Sequence, residues 1–207
     1  MRILAITVVL TTLLSLQTAQ AAPPLTEAMG EMRSELASAR KQLREGDLEL
    51  GNRVTIGSKR AAPARDDSLP KAVITPEGQL RIDGHTVTTT PAQRTLLLDY
   101  RRQMIDVAEA GIDVGERAAT VVLQSMDTSL LSLLASAMTG RLEKKVEQSV
   151  RQELLPLASE VCDRLPPVLA AQNRLAAHLP EFRPYANLQD SDVRDCRKEL
   201  AQSLATL

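Results

Sequence analysis

One dipeptide constrains this chain more than any other: Asp83-Gly84, set between residues that alternate apolar and polar. Asp-Gly supplies the two positive-φ positions of a type I′ turn, and a two-residue loop of that type fixes the register of a hairpin. Leu80 and Ile82 lead in and His85-Thr86-Val87-Thr88 returns, so Ile82 faces His85 and Leu80 faces Val87. One side of the ribbon is then apolar and has to be covered. Thr90, Pro91 and Gln93 follow as helix N-cap, first helical residue and capping-box partner. The chain is therefore expected to leave the hairpin directly as a helix.

Along that helix Leu97, Tyr100, Met104, Val107, Gly111, Val114, Ala118 and Val121 step by three and four, which predicts a buried stripe. Ala108, Gly111, Gly115 and Ala119 form a row of small residues, a candidate interaction face that a second helix could approach closely. One of the chain's own later helices is expected to fill it; a break near Gly111 is the competing reading, since each mid-helix glycine costs about 1 kcal/mol against alanine.

The strings ITPEGQLRIDGHTVTTTPAQRTLLLDYRRQ, AEAGIDVGERAA and PEFRPYANL together resemble the YggN-like family, uncharacterised periplasmic proteins of gammaproteobacteria. The resemblance implies an envelope location and carries no activity or site residue with it.

The amino terminus agrees with export on its own terms. Met1-Arg2, an apolar run from Ile3 to Leu14 and the small-x-small site Ala19-Gln20-Ala21 are the parts of a secretory signal peptide spanning 1–21, with cleavage between Ala21 and Ala22. A retained anchor is the lesser alternative, because the run is short for about 30 Å of hydrocarbon. Residues 22–46 read as an amphipathic helix: Leu25, Met29, Met32, Leu36, Ala39 and Leu43 form a narrow seam, expected to pack on the same chain. Residues 47–70 read as a second hairpin, Leu48 to Ile56 around Gly51-Asn52, followed by a flexible linker. Residues 71–207 hold the first hairpin and a helical domain. Within it Val121 to Met138 reads as a buried or oligomeric helix, because Asp127 and four serines make it a poor membrane span. Pro156 and Pro166-Pro167 should interrupt the later helices, a short helix should run from Val168 to His178, and Asp190 or Ser191 should cap a last one through Leu204. Strands early and helices late give an α+β class, predominantly α, with a small antiparallel hairpin sheet packed on a helical bundle.

Cys162 and Cys196 are the two cysteines, and in an oxidising compartment an even pair reads first as a disulfide. A redox pair would more usually show close Cys-x-x-Cys spacing. His85 and His178 match no compact zinc pattern with them. Asp83 beside His85 suggests an acid–base pair, but the turn needs the one and the hairpin's apolar side the other. Serine elbows and phosphate loops are missing from the sequence. No cofactor is called for. A net charge of −1 and three aromatic residues argue against nucleic-acid binding. The expected function is that of a non-enzymatic envelope protein acting as an interaction or structural module, with an envelope protein or a second copy as partner. A periplasmic enzyme of unrecognised type and a holdase-like chaperone are the alternatives.

Overall fold

The computed structural model describes residues 25–51, 68–126, 152 and 155–204. In chain order these form α1 (Leu25–Glu45), β1 (Leu48–Glu49), β2 (Ala72–Ile74), β3 (Leu80–Ile82), β4 (His85–Thr86) and α2 (Pro91–Met126). A helical run over 155–163 follows, then α3 (Leu165–His178), a 3-10 turn (Pro180–Tyr185) and α4 (Asp190–Leu204). The class is α+β, mainly α. The signal peptide with Ala21 and Ala22, residues 52–67 (the return strand of the expected second hairpin and most of the expected linker) and the segment 127–151 lie outside the described residues.

The four strands make one antiparallel sheet in sequence order. Asp83 and Gly84 turn with φ of 47° and 80°, Ile82 pairs with His85, and the Val87 amide donates to the Leu80 carbonyl at 2.8 Å, the register that the turn chemistry requires. Leu80 is buried and Val87 half-buried, but His85 is exposed: the covered side of the ribbon stops short of its tip. At the other turn, Gly78 has a φ of +76°, and a Cβ there would come within 2.7 Å of Leu98 Cγ on α2. Backbone conformation and helix contact both require glycine at that point. β1 pairs with β2, Leu48 opposite Ile74 and Glu49 opposite Val73. The return strand of the hairpin expected around Gly51-Asn52 lies outside the described residues.

Thr90 and Gln93 form the expected capping box, the Thr90 amide donating to Gln93 Oε1 at 2.9 Å and the Gln93 amide to Thr90 Oγ1 at 3.2 Å. From that cap α2 runs unbroken through Gly111 and Gly115 to Met126. No break occurs near Gly111. The rest of the helix expected over Val121 to Met138 lies outside the described residues, and Val121 to Met126 continue α2. Its 36 residues give a length of about 54 Å.

The core gathers on the first half of α2. Leu97, Tyr100 and Val107 meet Ile74 and Leu80 from the sheet, Val168 and Leu175 from α3, and Phe182 and Tyr185 from the 3-10 turn. Tyr100 and Phe182 pack edge to face with centroids 5.1 Å apart. The second half of α2 runs beside α1. Arg44 with Glu109 (2.6 Å) and Arg40 with Asp113 (2.7 Å) and Glu116 (3.0 Å) set the two antiparallel. Met29, Met32, Leu36, Ala39 and Leu43 are half-buried along the seam, so α1 packs on its own chain. Exposed ion pairs contribute little stability singly. Their pattern holds the register.

Pro166 and Pro167 end the run 155–163 at Arg164, as their missing donors dictate. The next helix nevertheless begins at Leu165, three residues before Val168, because a first helical turn needs no amide donors. The α4 cap also differs from expectation. Asp192, not Asp190 or Ser191, reaches back to accept from the Gln189 amide at 2.8 Å.

Candidate functional site

Cys162 and Cys196 are joined in a disulfide with Cα atoms 5.8 Å apart, and both are buried. The bond ties α4 to the helical run that precedes α3, and Arg197 pairs with Asp163 beside it. No histidine belongs to this group. His85 is exposed at the hairpin, while His178 lies at the end of α3 with Nδ1 2.8 Å from the Arg174 carbonyl. Asp83 is not facing His85 chemically either: its carboxylate accepts from the Lys71 amide at 3.0 Å, which closes the hairpin against the preceding strand. Among the described residues, no group of three or more His, Cys, Asp or Glu side chains could hold a metal ion.

The small-residue face is placed along the second half of α2. Gly111 and Gly115 are exposed, Ala108 and Ala119 half-buried. A Cβ added at either glycine would meet nothing within 4 Å among the described residues. The helix expected to fill this face is therefore not found there among them.

What the structure brings together was hardly visible in the chain. Arg101 is buried on α2 and its guanidinium donates to the Leu43, Arg44 and Gly46 carbonyls, the last at 2.6 Å. These are orphan acceptors at the C-terminus of α1, where positive charge also meets the negative end of the helix dipole. Gln172, buried on α3, exchanges two bonds with the backbone of Leu188, 2.9 and 3.0 Å. Gln93 does double duty, since its amide nitrogen also donates to the His178 carbonyl at 2.7 Å and so joins the start of α2 to the end of α3. Asp99 bridges the same two helices. Its bond to Arg174 (2.8 Å), with help from Arg102, holds its carboxyl below the usual range against the opposing effect of burial. Arg101 stands four residues after Leu97 and three before Met104, and Gln172 four after Val168 and three before Leu175. Their place on the apolar stripes was the available signal that both are buried.

A small cavity lies where β1, α2, α3 and the 3-10 turn converge. It measures about 20 Å³, with Tyr100, Met104, Val168 and Tyr185 among its walls and Glu49 and Asn187 as its polar members. Tyr185 donates its hydroxyl to the Pro70 carbonyl at 3.0 Å. Burial pushes the Tyr100 phenol up to about 12, which leaves it a proton donor through the physiological range. Among the described residues no helix is long and apolar enough to cross a membrane. Compared with protein-family models, with curated proteins and with solved structures, the chain matches none.

Proposed function

We propose that this chain is a non-enzymatic module of the bacterial cell envelope, exported to the periplasm, with a structural or protein-binding role. The observation that carries the reading is the use made of the buried polar side chains. Arg101 and Gln172 each spend their polar atoms on backbone groups of a helix end or a loop, and Thr75 accepts from the Gln79 amide of its own turn and bonds the exposed Glu77 carboxylate beside it. Chemistry on a substrate calls for the opposite arrangement, several polar groups aimed at one reacting atom. The amino-terminal leader, the resemblance to the YggN-like family and the Cys162–Cys196 bond support the envelope location. The paired helices α1 and α2 offer the surface on which a partner would act, and the exposed Gly111 and Gly115 lie on it.

Site-specific photo-cross-linking in intact cells tests the reading. A photo-reactive residue is placed at Ser34, Asp113 or Gly115 on the helical pair and, as controls, at Asp83 or Arg94 near the hairpin; all five are exposed. A discrete adduct from the helical pair alone is the expected result. Silence at every position, together with a turnover lost on substituting Glu49 or Asn187, would replace the module with an enzyme.

A further inference from the structure

The chain contains only three aromatic residues, and all of them meet at one place in the fold. Phe182 and Tyr185 come from the 3-10 turn and Tyr100 from α2. Tyr185 has its hydroxyl bonded to the Pro70 carbonyl. Tyr100 is only 5 % exposed, and its hydroxyl has no hydrogen-bond partner among the described residues. Packing edge-on against Phe182 needs the ring and not the oxygen. For packing alone phenylalanine would be the better residue, since a buried hydroxyl left unbonded is destabilising.

The same ring lines the cavity of about 20 Å³ between β1, α2, α3 and the 3-10 turn. By this measure a water molecule requires about 10 to 15 Å³, so the space admits one. Its lining is not wholly apolar: Glu49 and Asn187 stand on it with Tyr185. A buried water needs two to four polar partners, and these groups can supply them.

We propose that this cavity is a binding site for a single ordered water, which accepts a hydrogen bond from Tyr100 Oη and donates to oxygen atoms at the polar rim. The neutral phenol at physiological pH has one O–H to donate, and a water oxygen is a fitting acceptor for it. Such a water joins the first third of α2 to the ends of β1 and the 3-10 turn. The site is independent of the proposed envelope role and stands if that role is wrong.

Magnetisation transfer from water to amide protons, measured by NMR on the full chain, tests the site. The expected result is a long-lived water signal at the amides of Gly51 and Asn187 that is lost in Tyr100→Phe, with the variant melting below the parent. A missing signal in the parent would overturn the proposal, as would one unchanged in the variant. Tyr100→Phe melting above the parent would show a hydroxyl that is merely unpaired, and would overturn it too. If Tyr100→Phe fails to fold, the signal in the parent decides alone.

Discussion

Arg101 shows what one residue can do for the assembly of this molecule. A guanidinium that is 4 % exposed is stable only if its donors are bonded, and here the bonds go to the carbonyls that α1 leaves open at its end. Replacing it by methionine keeps most of the bulk and removes every donor, leaving those acceptors unsatisfied. Arg101→Met is expected to lower stability by about 2 to 3 kcal/mol in urea titrations, and Arg101→Lys to recover only part of that. Tyr100 makes a prediction at alkaline pH. Its folded-state value of about 12 lies above the ordinary 10.0, so the folded form holds the proton more tightly. The stability this contributes is complete below pH 10 and is lost as the pH rises through about 12. Absorbance titration should show an ionisation centred near that upper value in the parent and missing from Tyr100→Phe, with alkaline unfolding following it; ionisation of Tyr100 near 10.0 would contradict the burial argument.

Among the elements, α4 depends most on a single link. Among its described side chains the buried ones are Cys196 and Leu200, and the disulfide fastens the first of them to Cys162, 34 positions earlier. Substituting both cysteines by alanine should lower stability by about 3 to 4 kcal/mol, read by calorimetry as a fall in Tm, while leaving the helical content of α2 in place. The elements that could be read directly from the chain are those determined within a few residues. The Asp83-Gly84 turn and the Thr90–Gln93 box are local, so their residues specify them without help from the rest of the fold. The partner of β1 was not legible, because Leu48 pairs with Ile74 across an intervening segment and only the assembled sheet decides that choice. The start of α3 was misplaced for a different reason. Proline forbids a helix interior but suits a first turn, and the sequence shows the proline without showing which of the two it occupies.

At the scale of the whole molecule the described residues form a packed body and an antiparallel helical pair, with α2 common to both. The seam on α1 announced a buried face, and the charges of Arg40 and Arg44 gave no sign of their partners until Asp113, Glu116 and Glu109 were placed opposite. The cavity was illegible in the sequence for the same reason: its walls come from four parts of the chain, brought together by the core. The disulfide was legible from cysteine number and the expected compartment, and that expectation links the fold to the central claim, an exported envelope protein. The most direct measurement is the intact mass of the protein isolated from its native cells with thiols blocked at lysis, followed by peptide mapping without reduction. The account predicts a chain beginning at Ala22, with Cys162 and Cys196 linked and no blocked thiol. A chain that keeps Met1 and carries both cysteines in blocked, reduced form would contradict it.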